Sequence, residues 1–265
     1  MVIEELQIEM TRNCTLSCEH CLRGEKECKN IENGTLDNIF KDVTTVNNLI
    51  LTGGEPLIAV EQLEYLINII KNRNIHVGYI QIITNGTIMS ARVLRILKGL
   101  RGICRLGLGV SSDIFHMLEL DRLGLRALRD KNLQILKELF DVIEYGKSFE
   151  NGEKTFLSYC GRAETLTKER LAEINQNEGC NYVLTEGVRT MVQPETKIWG
   201  SWVFGYLPVD INGNIVSYGQ SFNEEDIEAN EINTNINQVG FRGAVRNFVD
   251  YLAEKNVIAA RVPLK

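Results

Sequence analysis

The chain has 265 residues, 44% of them hydrophobic and 24% charged, which is typical of a globular protein with one substantial core. Its 29 basic and 35 acidic side chains give a formal charge of −6, which argues against non-specific binding to nucleic acid or anionic membranes, because such binding needs a basic surface. No uninterrupted apolar run reaches the roughly 18 residues of a membrane span, and the acidic start Met1–Glu5 does not resemble a secretory leader.

The first half of the chain alternates predicted strands and helices. Short apolar or β-branched runs predict strands at Val2–Met10, Asn48–Thr52, Val77–Thr84, Ile103–Ser111 and Val142–Phe149. Between them, apolar residues recur at three- and four-residue steps and predict amphipathic helices, the first from Val60 to about Asn74. Strands that alternate with helices at this spacing predict βαβ units and a parallel sheet, and therefore an α/β fold.

Beyond about residue 150 the alternation becomes less regular. A helix is predicted over Thr165–Gln176, followed by strands at Tyr182–Val192 and Trp202–Ile211. Asn212-Gly213 predicts a tight hairpin turn, and a closing helix is predicted near Gly243–Lys255. No linker is evident, so we predict a core over residues 1–210 and an α+β extension over residues 211–265.

Three cysteines lie in one polar loop directly after the first predicted strand. The stretch NCTLSCEHC contains Cys14, Cys18 and Cys21, three of the seven cysteines in the chain. An odd number with three close together does not fit a secreted disulfide framework, so we expect a metal site and a reducing, cytoplasmic location. Thiolates suit iron–sulfur clusters and zinc alike. The spacing leaves two alternatives, a cluster or a zinc site completed by Cys28 or His20.

Glycine-rich or polar stretches follow the next three predicted strands, namely LTGGEP (51–56), ITNGT (83–87) and VSSD (110–113). The carboxyl ends of parallel strands meet at one edge of the sheet, where α/β folds bind ligands. Gly53 and Gly54 allow the backbone to approach a ligand closely, and the Glu55 carboxylate suits an ammonium group. Each stretch alone is also compatible with an ordinary turn. Their convergence on one edge predicts a ligand site.

The spacing C-x-x-x-C-x-x-C and the motif TGGEP together resemble the signature of the radical S-adenosylmethionine (SAM) enzymes, over roughly Val2–Phe149. The resemblance implies a partial (β/α)6 TIM-like barrel and one 4Fe–4S cluster held by Cys14, Cys18 and Cys21. It also implies that SAM chelates the open fourth iron and is cleaved reductively to a 5′-deoxyadenosyl radical, which takes a hydrogen atom from a substrate. His20 stands where many members have an aromatic residue.

The resemblance also assigns the SAM-binding residues by motif match. Gly53, Gly54 and Glu55 are expected to meet the SAM amino group, and the rest of the cofactor is expected at four strand-end residues: Thr84, Asn85, Ser111 and Asp113. We name no catalytic side chain, because hydrogen abstraction requires no protein acid or base. Cys160 and Cys180 are too few for a second four-cysteine cluster, so we predict a single one.

The substrate does not follow from these motifs. A peptide or protein is the first hypothesis, because the chain continues well past the resembling part, as in peptide-modifying members of the family. A nucleotide, sugar or other small metabolite is the alternative, and a non-catalytic zinc- or iron–sulfur-binding regulator is the alternative of another class. A flavodoxin- or ferredoxin-like protein is the expected electron donor. His116, close to Asp113, is the histidine to mutate first.

Overall fold

The computed structural model describes residues 1–146, 155–158, 161–185, 203–216 and 233–254. Its strands are β1 (Val2–Glu9), β2 (Thr45–Thr52), β3 (His76–Thr84), β4 (Arg105–Ser111), β5 (Asp141–Tyr145), β6 (Thr155–Ser158), β7 (Tyr182–Thr185) and β8 (Val203–Val209). Its α-helices are α1 (Asn33–Ile39), α2 (Val60–Asn72), α3 (Ala91–Arg101), α4 (Ile114–Arg122), α5 (Arg126–Leu139), α6 (Lys168–Glu178) and α7 (Ile236–Glu254).

Six strands form one parallel sheet in the order β5-β4-β3-β2-β1-β8. The predicted α/β fold with a parallel sheet is confirmed, and each of β1 to β5 overlaps a predicted strand. β2 begins three residues earlier than predicted, and residues 147–149 of the fifth predicted strand lie outside the described residues. The sixth strand of the sheet is β8, which pairs with β1 and aligns Val2 with Val203. The strand predicted from Tyr182 corresponds to β7, which pairs with β6 in a separate two-stranded parallel sheet. Residues 186–192 of that predicted strand lie outside the described residues.

The two faces of the main sheet differ in burial. On one face, apolar side chains such as Leu6, Leu49, Ile80 and Leu108 are buried against the helices. The opposite face, which we call the open face, consists of residues that align across neighbouring strands: Gln7, Ile50, Gln81, Ile83, Gly107, Gly109 and Ile143. On the open face, Gln7, Ile50, Gln81 and Ile83 are half-buried and Ile143 is exposed.

The chain turns back sharply after β8. Asp210 accepts the backbone N–H groups of Asn212 and Asn214, and Gly213 adopts a φ of +84°, which favours glycine. Val209 then pairs antiparallel with Ile215, which confirms the predicted hairpin turn. The side chain of Phe241 on α7 lies in the same core as Leu36 of α1. The boundary at residues 210 and 211 stays a prediction. Within the described part of the chain, no helix is both long and apolar enough to cross a membrane.

Candidate cofactor site

The loop that carries the three cysteines, residues 11–21, is bonded to the end of β2 through backbone atoms. Gly54 N–H donates to Thr11 O at 2.6 Å, and Glu55 N–H donates to Asn13 O at 2.8 Å. A Cβ atom added at Gly53 would lie 2.4 Å from Thr11 O, and one added at Gly54 would lie 2.3 Å from Asn13 O. Both glycines are therefore required for the close approach of this cysteine loop to β2.

The three thiols lie at one end of the sheet and are partly or fully buried. Cys18 is buried, Cys14 and Cys21 are half-buried, and Cys14 Sγ accepts the N–H of Leu16 at 3.4 Å. Burial raises the pKa of Cys14 to about 11, and burial together with nearby acidic groups raises the pKa of Cys18 further. Free thiolates are disfavoured here, whereas bound metal would compensate their charge. This donor set fits a thiolate-ligated iron–sulfur cluster.

Cys28, the candidate fourth ligand of a zinc site, is exposed. Cys180 is half-buried, and its thiol lies 3.3 Å from Asn175 Oδ1. Cys160 lies outside the described residues. The prediction of a single cluster therefore stays a prediction.

Glu55 is fully buried at the end of β2 and joins it to the end of β3. Its carboxylate accepts Thr84 Oγ1–H at 2.8 Å, Asn85 N–H at 2.8 Å and Leu57 N–H at 3.1 Å. An ionised carboxylate has about four acceptor positions, so it can accept one further donor. Burial raises the pKa of Glu55, although these hydrogen bonds oppose the shift.

Asn85 connects the end of β3 to the cysteine loop. Its side-chain amide donates to Thr15 Oγ1 at 3.0 Å and lies 3.6 Å from Cys14 Sγ. Its Oδ1 accepts the N–H of Thr87 at 2.9 Å and so shapes the Asn-Gly turn. The structure thus brings four of the sequence-predicted site residues into one hydrogen-bonded network: Cys14, Glu55, Thr84 and Asn85.

Asp113, predicted to bind SAM, is engaged by histidines. It caps the N-terminus of α4 by accepting the N–H of His116, and its Oδ2 lies 2.5 Å from His116 Nδ1. Its Oδ1 lies 3.5 Å from His20 Nε2. Although burial alone would raise it, these histidines bring the pKa of Asp113 below its usual range. The other predicted residue, Ser111, is half-buried, and its carbonyl accepts a hydrogen bond from Arg129 at 3.4 Å.

A segment far along the chain holds the cysteine loop from another side. Arg162 Nε–H donates to Cys18 O at 2.9 Å, and the Arg162 backbone N–H donates to Cys21 O at 2.9 Å. Glu119 Oε1 of α4 accepts the N–H of Ser17 at 2.9 Å. Sequence reasoning missed these contacts, because nothing in the stretch GRAE distinguishes it from a solvated loop.

A family model described as the Radical SAM superfamily matches residues 8–149, more than half of the chain. The chain therefore belongs to the radical SAM superfamily and is an enzyme of that class, whose members use a 4Fe–4S cluster and SAM. No curated protein matches the chain.

Two solved structures are similar to the chain in part. One is native anSMEcpe with bound AdoMet and Cp18Cys peptide, at 16% identity and a TM-score of 0.45, covering 77% of this chain. The other is Streptococcus suis SuiB bound to precursor peptide SuiA, at 18% identity and a TM-score of 0.47, covering 81% of this chain. The chain spans 55% and 59% of the lengths of these two structures, respectively.

Proposed function

We propose that this radical SAM enzyme modifies a peptide or protein, and that Cys14, Cys18 and Cys21 hold its cluster. The observation that carries the substrate proposal is the open face of the main sheet, which reaches the same carboxyl edge as the cysteine loop. When bound, the cluster and SAM supply one-electron chemistry and hydrogen abstraction. The residues of this chain supply binding, orientation and exclusion of water.

The cysteine loop supports the cluster proposal. It offers three sulfur ligands in a space that burial makes unfavourable for free thiolates. The loop is held by backbone hydrogen bonds from Gly54 and Glu55 and by Arg162. A cluster site needs this support because misplaced ligands weaken metal binding.

The Glu55 carboxylate supports the assignment of the SAM amino group. It lies at the end of β2, is fully buried, and retains one acceptor position after bonding Thr84, Asn85 and Leu57. Gly53 and Gly54, directly before Glu55 in the chain, are proposed to place their own backbone next to the SAM amino group. Ser111 and Asp113, at the next strand end, complete the proposed cofactor site.

The open face supports a large substrate. Pockets for small molecules typically enclose most of the ligand surface. The open face is less enclosed than such a pocket at Ile143, whose side chain is 52% exposed in the described part of the chain. Rings of Tyr79 and Tyr145 lie over Gly107 and Gly109, where a Cβ atom would clash with them. An extended polypeptide can cover such a surface with its own side chains and thereby exclude water from the reacting atoms.

The electron donor proposed for this enzyme is a flavodoxin- or ferredoxin-like protein in the cytoplasm. Reductive chemistry at a cluster requires a one-electron donor of low potential, and small proteins of these two kinds supply it. Reduction by a purified flavodoxin system, in place of a chemical reductant, would sustain SAM cleavage if this proposal is correct.

The test of the cluster compares metal content after anaerobic purification. We expect about four irons per wild-type chain and a large loss of iron in the Cys14→Ala variant. Cys104→Ala is the matched control, because Cys104 lies just before β4 and outside the cysteine loop. One tightly held zinc, with no binding of iron after a chelator has removed that zinc, would support the regulator instead.

The test of the substrate measures transfer of deuterium from labelled candidates into 5′-deoxyadenosine. Deuterium transfer from a labelled peptide supports the proposal, and transfer only from a nucleotide or sugar contradicts it. Ile143→Arg on the open face is expected to reduce this transfer without reducing iron content. Lys98→Glu, on the exposed side of α3, is the control and should leave both unchanged.

A further inference from the structure

We propose that Cys18, His20 and His116 form a second metal site, which binds one Zn²⁺ when the cluster is absent. One ligand atom from each of these three side chains lies within 4.8 Å of the other two. Cys18 is buried, and both histidines are about four-fifths buried. The site shares Cys18 with the proposed cluster but replaces two cysteines by two histidines, so it goes beyond the proposed function.

Asp113 contacts one nitrogen of each histidine ring and leaves the other nitrogen available. His116 Nδ1 lies 2.5 Å from Asp113 Oδ2, which leaves Nε2 for a metal. His20 Nε2 lies 3.5 Å from Asp113 Oδ1, and its buried Nδ1 has no hydrogen-bond partner in the described part of the chain. A carboxylate that holds the second nitrogen of a ligating histidine is the usual support of a zinc site. Asp113 provides this support for His116 by a hydrogen bond, and it faces His20 Nε2 at 3.5 Å.

The two rings are held in place by packing as well. His20 stacks on Phe115 with ring centroids 4.6 Å apart, and it meets His116 edge to face at 5.1 Å. Phe115 is 2% exposed and in turn contacts Tyr182 of β7. His116 lies in the first turn of α4, directly above its capping residue Asp113. The histidines are therefore positioned before any metal arrives.

The ligand set suits zinc by both geometry and charge. With Zn–S of about 2.3 Å and Zn–N of about 2.0–2.1 Å, tetrahedral ligand atoms lie roughly 3.3–3.6 Å apart. Because the ligand atoms lie within 4.8 Å of one another, the longest separation must shorten by roughly 1.2–1.5 Å to reach this spacing. A thiolate from Cys18 and the Asp113 carboxylate balance the charge of Zn²⁺. A water molecule would complete the fourth position.

Zinc and the cluster exclude one another because each requires the sulfur of Cys18. Nitrogen and sulfur sites bind Zn²⁺ more tightly than Fe²⁺. A chain that binds zinc before the cluster is assembled would therefore retain the zinc and fail to assemble the cluster until the zinc is removed. The consequence is a dependence of iron loading on the free zinc concentration.

The test titrates zinc into cluster-free protein under anaerobic conditions and uses two variants with opposite expectations. Cys14→Ala should retain one zinc per chain but fail to bind about four irons on reconstitution. His116→Ala should lose at least tenfold in zinc affinity but still bind about four irons. Co²⁺ in place of zinc gives a thiolate-to-cobalt absorption band, which should persist in Cys14→Ala and vanish in Cys18→Ala.

Retention of zinc by His116→Ala together with its loss from Cys14→Ala would overturn the proposal, because zinc would then use the three cysteines. Absence of tight zinc binding in the wild type would also overturn it. Iron reconstitution of His116→Ala reports whether this variant folds, and His20→Phe, which preserves the stack on Phe115, is the second variant. Absence of iron in the wild type contradicts the proposed function and leaves the zinc measurement interpretable.

Discussion

Arg162 donates from Nε to the backbone carbonyl of Cys18 at 2.9 Å, across 144 residues of sequence. Next to it, Gly161 adopts a φ of +59°, and a Cβ atom there would lie 2.5 Å from Cys21 O. The cysteine loop is therefore held between two segments, Gly53–Glu55 on one side and Gly161–Arg162 on the other. The geometry of the proposed cluster site depends on both.

Replacement of Arg162 by Ala should loosen the cysteine loop. The change removes a charged donor from Cys18 O, and we expect a loss of about 1–3 kcal/mol in the free energy of unfolding. The cluster should also lose iron to a chelator faster than in the wild type. Urea unfolding and the rate of absorbance loss measure the two effects.

The control for this change is Arg170→Ala. Arg170 pairs with Glu19 of the same loop, but these side chains are 40% and 47% exposed. An exposed ion pair contributes only about 0.2–1 kcal/mol, so chelator resistance should stay near the wild-type value. An equal loss of iron from both variants would contradict the role of the Cys18 hydrogen bond.

Replacement of Gly54 by Ala should separate the cysteine loop from β2. The added Cβ would lie 2.3 Å from Asn13 O and 3.0 Å from Cys14 Cβ, and both neighbours belong to the loop. We expect low iron content after reconstitution, measured by iron analysis and absorbance. Gly34→Ala in α1, where nothing lies within 4 Å of the added Cβ, should reconstitute normally. Normal iron content in Gly54→Ala would show that the loop tolerates the displacement.

Burial of Glu55 should make stability depend on pH with a defined sign. Because burial raises its pKa, the folded chain keeps the Glu55 proton at pH values where the unfolded chain, with a pKa of about 4.3, has lost it. The wild-type free energy of unfolding, relative to Glu55→Gln, should therefore fall as pH rises above about 4.3. Urea midpoints of cluster-free protein between mildly acidic and neutral pH measure this difference.

Glu64 supplies a control of opposite sign. Its hydrogen bond from Arg92 lowers its pKa, so its contribution is present above the unfolded pKa and is lost as pH falls. The difference between wild type and Glu64→Gln should increase as pH rises. The same sign for both carboxylates would contradict the assigned cause at Glu55.

Replacement of Asn132 by Ala should destabilise the turn after β3. Its buried Nδ2 donates to Gly86 O at 3.0 Å and to Thr87 O at 3.1 Å. Two buried carbonyls would lose their donor, and we expect a loss of about 1–3 kcal/mol in the free energy of unfolding together with weaker SAM binding. Gln134→Ala, at an exposed position of the same helix, should change stability by less than about 0.5 kcal/mol. Calorimetry of SAM binding and thermal unfolding check both statements.

Local sequence was sufficient to predict most of the main sheet. The prediction Val2–Met10 differs from β1 by one residue, and Val77–Thr84 differs from β3 by one residue. Buried parallel strands are continuous apolar runs ended by polar or glycine residues, as at Gly53, so their limits are visible in the sequence. The same polar and glycine residues at the strand ends indicated the site residues that Glu55 and Asn85 connect in the structure.

Pairings between distant residues were not predictable in this way. The run that contains β8 is apolar, but its side chains do not specify β1 as its neighbour. The helix α1, of seven residues, is too short for a clear periodic pattern. The bond of Arg162 to Cys18 O likewise depends on how the chain returns to the cysteine loop. Contacts of this kind follow from the tertiary fold.

The pairing of β1 with β8 has a consequence for biosynthesis. The partner of Val2 is Val203, so the ribosome must add some two hundred further residues before the second neighbour of β1 exists. At about 5–20 residues per second this takes roughly 10–40 s. Throughout that interval the outer backbone groups of the nascent β1 lack their native partner strand.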